Sequence, residues 1–249
     1  MNNYSIPKEH GAYVVLVAAW LLGIVYSHSP DVTGSALALI LPLSIFFLQE
    51  PIRILVRRKK KEKIELHPFA LLCIISTLVT GLILTLHSPR ILYLTAPLFV
   101  IALLYFYFVR KRSAAIILSL VGFLGLALIT PLTILASPSV MAPRDLAITW
   151  LFAALFFCGS LVCVNIRLSG GSGIWQAILY HILASAVILF FVYVHALPHS
   201  AIAVISVSFL RLLLIIPYRK QYSTLRIRYI GIQESVIAGL GVIISALPF

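Results

Sequence analysis

The chain has 249 residues, 61% of them hydrophobic and only 10% charged, with a mean hydropathy of +1.08. Soluble domains carry about a quarter charged residues, so this composition excludes an ordinary water-soluble domain and makes the bilayer the expected solvent. The net charge of +12 is scattered over short connections and offers no patch suited to nucleic acid.

The first apolar run, Gly11–Tyr26, follows Lys8 and has the look of a signal peptide. No small-residue cleavage site precedes a soluble domain and further runs follow, so it reads as the first span. Thr33–Gln49, Pro68–Leu86, Ile91–Val109 and Ser113–Ala136 come next. Leu146–Ile166, Ile174–Val194, Ser200–Pro217 and Tyr229–Leu247 complete the set. Each approaches the ~20 residues that carry a helix across ~30 Å of hydrocarbon. Connections such as Ser169-Gly170-Gly171-Ser172-Gly173 are short and rich in turn residues. The alternating ten-residue strands of a membrane barrel are absent from the sequence. The expected fold is therefore all-α, a single membrane domain over residues 1–249 with nine transmembrane helices.

Charge orients these spans. With the N-terminus inside, the cytoplasmic segments are Lys8, Arg53–Lys63, Arg110–Arg112, Arg167 and Arg219–Arg228, which hold 16 of the 19 Lys and Arg. Arg90 and Arg144 fall outside, and Arg211 lies within span eight. This follows the positive-inside rule and predicts a multi-pass protein of the cell membrane, N-terminus in and C-terminus out. Cys73, Cys158 and Cys163 sit in apolar runs and read as small buried residues, without a disulfide or metal role.

Spans one to four and five to eight read as two similarly oriented four-helix halves with span nine appended, and parallel repeats of this kind share a cavity between halves. Pro42, Pro97 and Pro131 fall inside spans and predict kinks there. The loop from Arg53 to His67 has Ile52, Leu55 and Val56 at amphipathic spacing beside it, the pattern of a surface helix on anionic lipid.

Ionisable groups at membrane depth are costly and mark candidate sites. Lys8, Glu9 and His10 stand together at the entry to span one, where Glu9 would also serve as a helix cap. Glu50, Arg53 and Arg57 share one face if the helix continues through Pro51, and two guanidiniums there would grip a phosphate. Asn165 and Arg167 precede a glycine-rich turn leading to the N–H groups at the start of span seven. Arg211 lies two turns inside span eight, free either to snorkel past Ile215 or to pair with Glu234 of span nine. His181 reads as a hydrogen-bonded packing residue. The stronger candidates all fall on the cytoplasmic half.

Pro7-Lys8-Glu9-His10-Gly11-Ala12-Tyr13 resembles the opening motif of the YwiC-like bacterial membrane proteins, with Tyr13 in place of that family's Trp. Phe157 through Arg167, Tyr180-His181, Phe209-Leu210-Arg211 and Tyr229 through Glu234 extend the likeness along the chain. The nine-span plan, with polar motifs ending spans two and six, is also similar to the UbiA prenyltransferases. Those enzymes hold Mg²⁺ and a prenyl diphosphate on two Asp-rich motifs. Here the first motif would read Gln49-Glu50-Pro51-Ile52-Arg53-Ile54-Leu55-Val56-Arg57, and the second becomes Asn165…Ser169 without a carboxylate.

One Glu cannot ligate two Mg²⁺, so no metal or other cofactor is expected. The resemblance then implies a UbiA-like protein that binds a prenylated or other anionic lipid, such as a prenyl diphosphate or a quinone-like molecule, in a cavity on the cytoplasmic side. Lys8, Arg53, Arg57, Asn165, Arg167 and Arg211 would bind its phosphate; Glu9, His10, Glu50 and Glu234 would orient or catalyse. Metal-independent prenyl transfer is the enzymatic form of this reading. A non-catalytic lipid or quinone carrier, an assembly partner of a membrane complex, and a small-solute transporter are the alternatives.

Overall fold

A computed structural model describes residues 10–27, 29–57, 68–111, 115–138 and 141–247, with the backbone alone at 10–11, 49–57, 68–69, 115 and 227–228. All regular structure among the described residues is helical. In chain order it comprises α1 (His10–Tyr26), α2 (Val32–Arg57), α3 (Pro68–His87), a 3-10 segment (Pro89–Leu94), α4 (Thr95–Arg110), α5 (Ala115–Ala127) and α6 (Ile129–Ala136). Then come α7 (Pro143–Leu168), α8 (Ile174–Tyr193), α9 (Ser200–Ile215), α10 (Arg219–Thr224) and α11 (Ile227–Ser245).

Five stretches among the described residues are long and apolar enough to cross a bilayer: Ala70–His87, Pro89–Arg110, Ile116–Ala136, Pro143–Leu168 and Ile174–Tyr193. Four shorter apolar helices, Ala12–Tyr26, Val32–Leu48, Ser200–Ile215 and Tyr229–Ser245, accompany them. Large side chains such as Leu78, Phe99, Leu183 and Leu214 stand exposed along these helices. Water would penalise such surfaces, whereas lipid solvates them, and the chain is a membrane protein.

The chain forms two compact units, residues 1–140 and 141–249. The division follows the fifth apolar run, whereas the sequence pattern of halves placed it after the fourth.

In the first unit, α6 is the core element. Ile129, Thr130, Pro131, Thr133, Ile134, Leu135 and Ala136 are all buried. The fifth apolar run does not make one helix, because α5 ends at Ala127 and Leu128 forms a turn, its N–H donating to Gly125 O at 3.1 Å. Pro131 explains the break: it has no N–H, and its ring excludes the carbonyl four residues earlier. Pro97 acts differently. It falls in the first turn of α4, where a missing N–H costs nothing, and the span changes there from 3-10 to α geometry.

Helix α1 approaches α6 closely at Gly23, where a Cβ would stand 2.5 Å from Thr133 Cβ and 2.7 Å from Thr130 O. Thr130 Oγ1 donates to Ala19 O across this contact at 2.9 Å. Helices α2 and α3 share a hydrogen bond between Ser44 Oγ and Ser76 Oγ at 2.8 Å. Small residues that admit close backbone approach, with hydroxyls bonded across it, are how helices associate when lipid removes the hydrophobic drive between them.

In the second unit, α7 is the central helix, burying Phe152, Phe156 and Phe157. Gly241 of α11 lies against the far end of the Phe156 ring, where a Cβ would come within 2.4 Å of Cζ. Helix α7 ends in a turn whose Gly171 N–H reaches back to Ile166 O and whose Gly170 N–H reaches Arg167 O. That double bond pattern requires left-handed backbone at Gly170, which has φ +63°. The same pattern ends α8, but there His195 occupies the left-handed position at φ +54°.

Candidate functional site

The two charges that the sequence places deepest in apolar helices meet inside the second unit. Arg211 on α9 is 3% exposed and Glu234 on α11 is 8% exposed. Arg211 NH1 donates to Glu234 Oε2, and the two form an ion pair. Arg211 therefore turns inward and does not snorkel past Ile215. Pairing is the physical reason, since a lone buried guanidinium or carboxylate would be far more costly than the pair.

Hydroxyls complete the cluster. Arg211 NH1 also reaches Ser160 Oγ of α7 at 3.4 Å, and NH2 reaches Ser208 Oγ at 3.4 Å. Ser208 lies one turn before Arg211, which puts both on one face of α9. His181 of α8 is fully buried, with Nδ1 2.8 Å from Ala177 O and Nε2 3.2 Å from Ser208 Oγ. The carbonyl can only accept, so Nδ1 carries the proton and Nε2 accepts from the serine hydroxyl. The packing role expected of His181 holds, and the ring extends the polar chain from the guanidinium to the α8 backbone.

Gly159 makes room for this chain. A Cβ there would lie 3.2 Å from Ser208 Oγ and 3.4 Å from His181 Nε2. Tyr222, on the short helix α10, is buried. It packs in one apolar group with Cys163, Ile166, Leu212 and Ile230. Burial pushes its phenol well above the usual range, so it stays protonated. Cys73, Cys158 and Cys163 are free and buried.

The remaining candidates are distributed differently. Lys8 and Glu9 lie outside the described residues. His10 begins α1, with only its backbone described. Helix α2 does continue through Pro51 to Arg57, so its backbone brings positions 50, 53 and 57 onto one face. The side chains of Glu50, Arg53 and Arg57 are outside the description. Arg167 donates from Nε to Leu225 O at 3.2 Å, tying the end of α7 to the segment before α11. Asn165 lies one turn inside α7, with its amide beside Gly173. Ser169 Oγ accepts the Gly173 N–H at 2.9 Å, so the glycine turn closes on its own serine.

Among the described residues no group of three His, Cys, Asp or Glu side chains could hold a metal ion. Sequence reasoning missed Ser160, Ser208 and Tyr222. The serines had a usable signal, since Ser208 precedes Arg211 by three residues and Ser160 precedes Cys163 by three. Tyr222 had none, because it falls in a connection.

A second feature lies on the outer face of α8 and α9. An open apolar groove of about 710 Å³ runs between them, lined by residues including Ile182, Ala186, Leu189, Ile202, Leu210 and Leu213. Beyond its Ile182–Leu213 end, Trp175, Tyr218 and Tyr229 are exposed aromatics among the exposed Arg219, Lys220 and Arg226. Trp and Tyr favour the headgroup level of a bilayer, and basic side chains favour its anionic face.

Compared with known proteins, residues 6–134 match a family model described as YwiC-like protein. That range lies within the first unit. No curated protein and no solved structure matches the chain.

Proposed function

We propose a role for this chain from one premise, that it belongs to the YwiC-like protein family. In this reading it crosses the cell membrane nine times in a UbiA-like plan, N-terminus in the cytoplasm and C-terminus outside. It binds an amphipathic anionic lipid from the cytoplasmic leaflet. The lipid's isoprenoid or acyl chain lies in the α8–α9 groove, and its head meets the basic ends of the helices around Arg167, Arg219, Lys220 and Arg226.

The observation that carries this reading is the placement of the groove. It is apolar along its length, open to the side that lipid solvates, and ends about two helical turns from a rim of aromatic and basic residues. An extended hydrocarbon chain fits the first part and a phosphate the second. Asn165 is a further headgroup residue of that site. Within the first unit, Arg53 and Arg57 share a face of α2 that suits a phosphate, and Lys8, Glu9, His10 and Glu50 are its orienting groups if the protein transfers a chain. The positive-inside distribution of charge supports the orientation.

Mass spectrometry of lipid co-purified with the protein tests the binding. An anionic prenylated lipid enriched over the bulk membrane, and lost in Ala186→Trp, is the expected result. Lipid in the bulk proportions, unchanged by that groove-filling substitution, would overturn it. Incubation with a labelled prenyl diphosphate, with and without Mg²⁺, separates a carrier, which binds without turnover, from a transferase.

A further inference from the structure

The charged cluster of the second unit is only partly satisfied by its own neighbours. Arg211 uses NH1 and NH2 on Glu234, Ser160 and Ser208. Arg211 Nε, Glu234 Oε1 and the Tyr222 hydroxyl are buried and have no hydrogen-bond partner. The three residues are 3%, 8% and 5% exposed.

They also belong together. Tyr222 shares one apolar cluster with Leu212, which adjoins Arg211; with Ile230, one turn before Glu234; and with Cys163, one turn after Ser160. The Cys163 sulfur itself lies beside Arg211.

A buried polar group left without a partner costs about 1–3 kcal/mol, and a charged one more. Three such groups in one place mark a site built around something that satisfies them. Their chemistry restricts what that is. Arg211 Nε–H can only donate, Glu234 Oε1 can only accept, and the phenol of Tyr222 does either. A phosphate or carboxylate would face the free carboxylate oxygen of Glu234. A cation would face the guanidinium. A neutral hydroxyl both donates and accepts, and it meets neither repulsion.

We infer that Arg211, Glu234 and Tyr222 enclose a binding site for hydroxyl groups, occupied by ordered water or by the alcohol head of a membrane lipid. The site is separate from the α8–α9 groove, which lies on the other face of α9, and it stands whether or not that groove takes lipid. Its floor is α10, a six-residue helix whose sole buried side chain is Tyr222.

X-ray hydroxyl-radical labelling of the full chain in detergent tests the site, because radicals form wherever water is held. Tyr180 is the internal reference: it is half-buried, more accessible than Tyr222, and its hydroxyl is already bonded to Leu155 O at 2.6 Å. The expected result is that Tyr222 is modified faster than Tyr180, reversing their order of exposure. Modification in the order of exposure, with Tyr222 the slower, would overturn the proposal.

The double substitution Arg211→Met with Glu234→Leu makes the cluster apolar without stranding a charge. Labelling of Tyr222 should then fall below that of Tyr180. Persistence of fast labelling would mean that α10 merely opens, which would also overturn it. Titration with farnesol separates the two sources of the hydroxyl. Protection of Tyr222 with Tyr218 unchanged identifies a lipid alcohol, and no protection identifies water.

Discussion

The two units place polar groups among apolar helices in opposite ways. In the first, described links from helix to helix or loop include four neutral ones: Thr130 to Ala19 O, Ser44 to Ser76, Trp20 Nε1 to Ser35 O, and Ser88 Oγ to Leu135 O. Its Asp31–His87 ion pair sits at helix ends with both side chains about one-third exposed. In the second unit an arginine and a glutamate face each other at depth, with serines and a histidine gathered around them. Neutral hydroxyl links are packing devices, each satisfied by a carbonyl or another hydroxyl close by. A buried charge pair with bare edges is not needed for packing. The family match covers residues 6–134, within the first unit, and the charged cluster lies in the second.

Removing one charge should break this comparison most severely. Arg211→Met leaves the Glu234 carboxylate buried without its partner, at a cost of about 3–5 kcal/mol. Adding Glu234→Leu removes the stranded carboxylate, and the double variant should recover most of that loss. Thermal unfolding in detergent, followed by Trp fluorescence, measures both. A single variant as stable as the double would show that the pair is not held in apolar surroundings. No single neutral link in the first unit should show such a rescue.

The first unit is sensitive where α1 and α6 approach each other at Gly23. In Gly23→Ala the new Cβ meets Thr133 Cβ and the backbone oxygen of Thr130, so α1 and α6 must separate. Overpacking of this kind costs about 1–3 kcal/mol. The same unfolding measurement reads it, and an unchanged midpoint would mean that the two helices yield freely. The neutral bond beside it is worth less. Thr130→Val keeps the shape and loses the bond to Ala19 O, for about 0.5–1.5 kcal/mol.

Much of the helical plan was legible in the sequence, because apolar runs of this length have few alternatives to a membrane helix. The break at Leu128 was signalled by Pro131, although the sequence reads as one long run. The Arg211–Glu234 pair was visible as one of two options, since both residues lie at membrane depth and each needs a partner. Choosing between pairing and snorkelling required knowing which face of α9 points inward. Ser208 on that face decides it, yet a serine in an apolar helix draws no notice by itself. Tyr222 was illegible because its burial comes from the path of the chain after α9, which no local pattern records. The groove likewise depends on how two apolar faces diverge, and composition is blind to that.

The smallest expected effect concerns a charge at the surface of the first unit. Asp31 precedes α2, and its Oδ2 accepts the Gly34 N–H, with His87 Nε2 3.0 Å away. The Gly34 N–H first, and His87 after it, hold the Asp31 carboxyl below its usual value. A lowered folded-state pKa adds stability that is complete above the unfolded-state value near about 4 and is lost as pH falls through the folded-state value. Asp31→Asn keeps a side-chain acceptor for the cap but does not titrate. At pH 6 the parent protein should therefore unfold at the higher temperature, and acidification should bring the two midpoints together. A difference that is constant with pH would assign the effect to cap geometry. One that grows on acidification would reverse the sign and show that the carboxylate is not favoured at this helix end.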